Sequence, residues 1–499
     1  MRMRISVCLR AFAFLFLVLG LSLQAAGFDQ DVLKEMEQWE VPGLALAVIK
    51  DDAVVFKKGY GVLKAGEKTP VTEKTLFAVG SCTKAFTATA LGMLIDQGKA
   101  AWDDPVVKYL KGFQLYDPYL TRVASLRDLL AHRCALDTGD ILWYRMSVDS
   151  KALLEKMRYL QPKGAFRSDY SYHNLLYMVA GEVVAAVSGK PWSAFIKENI
   201  FLPLGMTMSN CSITELKHVR DVASPHAKVG NAVKAVPWSN IDSIGPAGSI
   251  NSNVADMAQW VKFQLAKGKR LLSAERAAEM QTPQMLIPKT PYESSLYPGS
   301  HFLTYGLGWF LHDYRGFKVV EHPGSVDGMR ALVALVPEKG LGIVILTNMQ
   351  STGLPHVLKN KIFDQYLELP KHDWQADYLK AYQGMKQHYA ALESKMEAAR
   401  VKGTKPSLPL EQYVGVYAHE LYGDLKVSLK GQRLFLEVLS VWGGLSHWEH
   451  DHFRLDLAES IPTQPVKASA VFTLNAQGKV EGLKFTIPEF INAAFKKSY

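Results

Sequence analysis

Cysteine is scarce. The 499 residues hold four, at positions 8, 82, 134 and 211. Past the N-terminal segment the number is odd, in a chain long enough to build a large core, so the pattern is not that of a disulfide scaffold. Long apolar runs are also missing. The most extended, Ala11 to Leu23, is thirteen residues, short of the roughly 20 that span a bilayer. The net charge of +9 is scattered rather than clustered, and no nucleic-acid-binding module is visible. Repeats of solenoid or propeller period and low-complexity tracts are absent too. What remains is an ordinary globular composition, 48% hydrophobic and 21% charged, with room for two or more domains.

The N-terminus has its own character. Arg2, Arg4 and Arg10 precede the apolar run, and Ala25-Ala26-Gly27 offers small residues for cleavage. This is the anatomy of a secretory leader over residues 1–27. Its removal takes away three arginines and no acid, lowering the net charge from +9 to +6. No cysteine follows the run, which argues against a lipid anchor. The expected product is exported, periplasmic or secreted from a bacterium, with no stable membrane span once the leader is cleaved.

The organising stretch is Phe77-Ala78-Val79-Gly80-Ser81-Cys82-Thr83-Lys84, leading into a segment from Ala85 to Ile95 without a charge. A helix apolar all round is a buried one. Ser81 and Lys84, three apart, share a face at its start. A serine hydroxyl needs a neighbouring base, and a lysine serves only when neutral; burial and a helix N-terminus both favour the neutral amine. Ser81 is the candidate nucleophile and Lys84 its candidate base. The competing reading makes Ser81 a helix N-cap and Lys84 a chain snorkelling to solvent. Cys82 reads as a small buried hydrophobe.

Leu44–Lys50 and Ala53–Lys58 read as a hairpin across Asp51-Asp52. Ser125 to His132 reads as a capped helix, and Leu175 to Ser188 as a helix stopped by Gly189-Lys190-Pro191. From about 100 to 300 the segments are mostly helix and loop. Strand character returns at Lys318–Glu321, Gly328–Val336 and Leu341–Asn348. Asp373 to Arg400 is a long polar helix pattern, 402–407 a linker, and Leu410 onward a module of short alternating strands. The fold expected is α/β of the α+β type: strands from both ends of one domain pairing into an antiparallel sheet, helices inserted to one side, then an all-β barrel. The domains expected are residues 28–370, a connector over 371–407, and 408–499.

Two more segments carry suitable chemistry. In Tyr172-His173-Asn174, Tyr172 and Asn174 can point into one cleft; alternatively they are a packing aromatic and an N-cap. His322-Pro323-Gly324-Ser325 ends a short strand, where Gly324 permits close backbone approach and the Ser325 N–H can face a ligand. In the β module, His447, His450 and His452 read as packed or surface residues rather than a metal site, and Trp442, Trp448 and Phe453 as barrel core.

Ser-Cys-Thr-Lys, Tyr-His-Asn and His-Pro-Gly stand in the order of the Ser-x-x-Lys, Ser-Asp-Asn and Lys-Thr-Gly motifs of β-lactamases and penicillin-binding proteins. In its Tyr-x-Asn and His-x-Gly forms the chain resembles the class C β-lactamase-like serine hydrolases. Leu129-Leu130-x-His132, Pro203-Leu204-Gly205-Met206 and Gly245-Pro246-Ala247-Gly248-Ser249 look like that family's scaffold landmarks, and the module from Leu410 is similar to the lipocalin-like barrel of some members.

The resemblance implies a β-lactamase/transpeptidase-like domain in which Ser81 forms an acyl-enzyme, Lys84 and Tyr172 share the proton work, and Asn174 holds the substrate amide and the lysine. The backbone N–H groups of Ser81 and Ser325, beside Gly324, would bind the oxyanion. It implies no cofactor and no metal; a small-molecule or peptide substrate is the expected partner, and a homo-oligomer stays open. Two departures matter. His322 replaces the lysine of true β-lactamases, which leans toward an esterase or D-aminopeptidase type of activity. Ala135 stands where glycine is usual after His132. The alternative is a catalytically silent penicillin-binding-like protein that binds cell-wall or peptide ligands.

Overall fold

β1 (Gly43–Lys50) is apolar through Ile49 and buried on both faces, as a central strand must be. A computed structural model describes residues 27–457, 467–488 and 490–498 of the chain. The leader expected over 1–27 lies outside these residues except for Gly27. β1 turns at Asp51-Asp52, both at positive φ (+50° and +66°), into β2 (Ala53–Gly61). Such a turn matches the right-handed twist of a hairpin.

On its other side β1 pairs antiparallel with β8 (Leu341–Thr347), Leu44 opposite Thr347. Next come β7 (Met329–Val336), β6 (Phe317–Val326), β5 (Phe310–Tyr314), β4 (Leu303–Tyr305) and β3 (Met285–Ile287). The order β2-β1-β8-β7-β6-β5-β4-β3 confirms that strands from both ends of the domain form one sheet around the helical middle. The three short strands β3–β5 lie outside the strand stretches read from the sequence. At three to five residues each, they carry too little alternation to register.

Alternation along β1 sends Ala45, Ala47 and Ile49 to one face and Leu44, Leu46 and Val48 to the other. The first face packs under α1 (Thr83–Asp96), α2 (Asn174–Ser188) and α3 (Val254–Leu265). The second is covered by helix 27–38 and α4 (Leu354–Tyr366), giving three layers. α1 is buried from Thr83 through Leu94, as the uncharged stretch from Ala85 to Ile95 requires. The Ser125 helix forms with a capping box to Asp128, and α2 stops at Gly189 in the left-handed conformation. Ala135 holds a φ of +50°, which explains why glycine is usual there.

α5 (Trp374–Ala399) runs 26 residues, anchored at its start by Trp374, Gln375 and Tyr378. Beyond it, eight strands between Gly415 and Lys497 close into an antiparallel barrel. Tyr413, Tyr417, Phe453 and Phe472 fill one end. Phe453 is core as expected, whereas Trp442 is 41% exposed. Trp448 lies between the guanidinium groups of Arg400 and Arg454, at 4.6 and 4.5 Å. Both indoles sit on the outward-facing side of an alternating strand. Lys156 Nζ donates to the Glu420 carbonyl at 2.9 Å, and the rings of Tyr144 and Phe490 meet at 5.8 Å, fastening the barrel to the helical side.

Among the described residues no helix is long and apolar enough to cross a membrane.

Candidate active site

Ser81 occupies a single 3₁₀ turn, Gly80–Cys82, directly before α1. It caps nothing: the α1 N-cap position is Cys82, with no side-chain cap bond. Lys84 does not snorkel, since none of its surface is exposed. Its Nζ lies 3.0 Å from Ser81 Oγ, 2.8 Å from Asn174 Oδ1 and 2.9 Å from the Ala247 carbonyl oxygen. A neutral amine has two hydrogens and one lone pair. Asn174 Oδ1 and the Ala247 carbonyl oxygen can only accept and take the hydrogens, which leaves the lone pair facing the serine hydroxyl.

The lysine is close to that state at neutral pH. Burial pulls its pKa down to about 7, with Asp140 and Cys82 acting the other way. The Tyr172 and Tyr177 rings stand 4.7 and 5.3 Å from Nζ. Burial holds the Tyr172 phenol well above its ordinary range, with a hydrogen bond to Ser81 opposing. Tyr172 is therefore a neutral phenol, able to donate a proton rather than abstract one.

The supporting scaffold follows from close contacts. A Cβ on Gly181 of α2 would sit 2.0 Å from Pro246 Cγ, so only glycine there lets the Gly245–Gly248 turn bring the Ala247 carbonyl to Lys84. His132, fully buried, accepts from the His173 N–H through Nδ1 at 3.0 Å and packs 4.3 Å from the Tyr172 ring. Asn174 begins α2 without capping it; its Nδ2 turns to Asp140 at 3.2 Å.

The third segment lies inside β6 rather than at a strand-end turn. β6 pairs with β5 only through Phe317–Glu321, so from His322 onward that edge is open. Pro323 has no N–H and is tolerated in a strand only where its nitrogen faces such an edge. Two residues later, Ser325 turns its own N–H the same way. The Asp327-Gly328 turn, with Val326 opposite Met329, fixes the same phase. The Val79–Ser81 backbone fills the gap: a Cβ on Gly80, φ +53°, would sit 2.6 Å from Ser325 N. The backbone of the nucleophile turn at Gly80 is thus packed directly against Ser325.

His322 lies behind this edge, 1% exposed. Its Nε2 is 2.8 Å from the Tyr305 hydroxyl and Nδ1 is 2.7 Å from the Pro323 carbonyl. With the proton on Nδ1, both nitrogens are satisfied. Burial drops its pKa to about 3, so it carries no charge at neutral pH. The structure brings Ser81, Lys84, Tyr172, Asn174, Gly324 and Ser325 together; His322 joins them as a buried prop, 1% exposed.

Sequence reasoning missed Asp140, Tyr177 and Tyr305. Tyr177 had a signal, being on the same α2 face as Asn174 one turn later; Asp140, on an irregular loop, had none. Among the described residues no group of His, Cys, Asp and Glu could hold a metal ion.

With this geometry in hand, the comparisons with known proteins agree with one another. A family described as Beta-lactamase matches residues 28–365. A domain of unknown function matches 399–497, the span of the barrel and its approach. The unguisins hydrolase ungD of Aspergillus violaceofuscus is 30% identical over 441 residues, 81% of this chain and 76% of its own length. Penicillin-binding protein 4 of Amycolatopsis lactamdurans is 28% identical, over 62% of this chain and 81% of its own. Among solved structures, the octameric penicillin-binding protein homologue from Pyrococcus abyssi superposes with a TM-score of 0.64 at 22% identity, covering 95% of this chain and all of that one. The D-amino acid amidase of Ochrobactrum anthropi SV3 gives 0.57 at 22% identity, over 68% of this chain and 96% of its own. The chain belongs to the β-lactamase family, with the β-lactamase/transpeptidase fold and an added C-terminal barrel.

Proposed function

We propose that the protein is an exported serine hydrolase that cleaves an ester or amide through an acyl-enzyme on Ser81. The observation that carries this reading is the Lys84 amine: buried, near-neutral, and held with its lone pair toward Ser81 Oγ at 3.0 Å. Lys84 removes the serine proton as Oγ attacks the carbonyl carbon. The Ser81 and Ser325 N–H groups receive the oxyanion, a contribution of about 2.7–4 kcal/mol per donor. Tyr172 delivers a proton to the leaving group and regains one from the Lys84 ammonium; Lys84, neutral again, takes the proton of the water that releases the acid, and that proton returns to Ser81 Oγ. Export rests on the leader pattern of residues 1–27.

The substrate is read from charge. A neutral, buried His322 offers no cation to a free carboxylate beside the scissile bond. The reading therefore favours esters and D-amino-acid or internal peptide amides over β-lactams with their ring carboxylate. The similarity to an unguisins hydrolase supports hydrolysis, and that to a D-amino acid amidase is in keeping with the amide side of this class.

A panel of a p-nitrophenyl ester, a D-alanine p-nitroanilide and a chromogenic cephalosporin tests it. Turnover of the ester or anilide at least about tenfold above the cephalosporin in kcat/KM is expected. Cephalosporin hydrolysis as the fastest reaction would overturn the substrate assignment. No turnover of any, with no covalent adduct, would favour the silent binding protein.

A further inference from the structure

We infer that Asp140 is a positioning residue of this site, whose carboxyl group fixes the Asn174 amide with Oδ1 toward Lys84 and is the acidic group beside the lysine amine. The inference rests on the acyl-enzyme reading above and adds a residue to it.

Asp140 opens the 3₁₀ turn Asp140–Leu142, entered through Gly139 in the left-handed conformation, φ +60°. A Cβ on Gly139 would meet Leu160 at 2.7 Å, so the chain enters this turn along one route. The partly buried carboxylate receives Trp143 Nε1 at 2.9 Å and Asn174 Nδ2 at 3.2 Å to both oxygens. A carboxylate only accepts, so the amide nitrogen of Asn174 must face it. The amide oxygen is then the atom left for Lys84, at 2.8 Å. An Asn side chain is nearly symmetric in shape, and without Asp140 nothing in these contacts stops it flipping. A flipped amide would set donor against donor at Lys84 and release the amine from its lone-pair alignment with Ser81.

The charge argument is independent of the hydrogen bond. Lys84 is faced by Ser81, Cys82 and the rings of Tyr172 and Tyr177, with His132, His173 and His322 on the packed elements behind. Burial keeps the Cys82 thiol and both phenols protonated and the three histidines neutral. Asp140 is the larger of the two groups that pull the lysine pKa upward, ahead of Cys82. Its own pKa is raised overall, burial and then Asp137 outweighing the opposite pull of Asn174, Trp143 and Lys84. Asp140 therefore favours the protonated lysine, and replacing it with a neutral residue favours the free amine.

The test is the second-order rate of labelling by a fluorophosphonate across pH, for the full-length wild type, Asp140→Asn and Asp140→Ser, with melting curves to establish folding. Asp140→Asn keeps an acceptor for Asn174 and removes the charge; the acid limb of its profile moves down by about 1 pH unit. Asp140→Ser shows the same shift, with the plateau rate about tenfold lower because the amide is no longer held. Either variant carries the comparison if the other does not fold. An acid limb that stays in place in the folded variants overturns the role of Asp140, leaving Ser81 intact. A wild type that takes no label at Ser81 overturns the acyl-enzyme reading and this one with it.

Discussion

A methyl group placed on Gly324 would sit 1.9 Å from the carbonyl oxygen of Val79. The strand carrying Ser325 and the turn carrying Ser81 are therefore packed backbone against backbone, with no space for a side chain between them. Gly324→Ala must push the two apart. The expected cost is about 1–3 kcal/mol of stability, as for other overpacked sites. The loss in labelling rate should be larger, about 100-fold, because the displacement separates the Ser81 and Ser325 amides. Urea denaturation and fluorophosphonate labelling of one preparation check both; a stable variant labelled at the wild-type rate would show that this contact does not set the site.

Behind the same strand, Glu321 and Lys359 form an ion pair at 2.8 Å with 0% and 1% of their side chains exposed. His312 adds a second contact to Glu321 at 3.4 Å. The pair ties α4 to the back of β6 at the residue before His322. Lys359→Met leaves a buried carboxylate with only the 3.4 Å contact to His312 and should cost about 3–5 kcal/mol. The double variant Lys359→Met/Glu321→Leu should recover most of that loss in a urea titration, since the isolated charge is then gone.

Ala135 offers the opposite outcome. A left-handed alanine costs roughly 1–2 kcal/mol, part of which a glycine returns as unfolded-state entropy. Ala135→Gly should raise stability by about 0.5–1 kcal/mol, visible as a higher melting temperature with unchanged activity.

Acid should destabilise the fold well before carboxylates titrate. Burial lowers the pKa values of His173 and His356 to about 4 and of His322 to about 3. An unfolded chain takes up protons at these positions near pH 6.5 while the folded one does not. Their contribution is therefore complete above that pH and is lost as the pH falls toward 4. Glu393, held near 2 by Arg454, adds a further loss below about pH 4. The melting temperature should fall steadily from pH 7 to 4, by about 10 °C or more; a flat profile over that interval would mean these histidines are protonated in the fold.

The parts of this site legible in the sequence were those tied to local patterns. Ser81 and Lys84 share a helix face, Tyr172 and Asn174 precede a clear apolar helix, and the β1, β7 and β8 strands alternate or run apolar as buried strands do. Asp140 was not legible, because its partners are 34 residues on, at Asn174, and 3 on, at Trp143, across irregular backbone. The burial of His322 was hidden for a similar reason: it depends on Tyr305, on a three-residue strand too short to read. Trp442 and Trp448 read as barrel core yet lie on its outer face, because in a strand a phase difference of one residue exchanges inside for outside.

The central claim is that Ser81 Oγ is the acylated atom. The direct measurement is intact-mass analysis of the protein after fluorophosphonate treatment, followed by peptide mapping, with Ser81→Ala and Lys84→Met alongside. One adduct per chain, on the peptide containing Ser81, absent from Ser81→Ala and slowed at least about 1,000-fold in Lys84→Met, is the expected result. An adduct on another residue, or labelling that persists in Ser81→Ala, would contradict it.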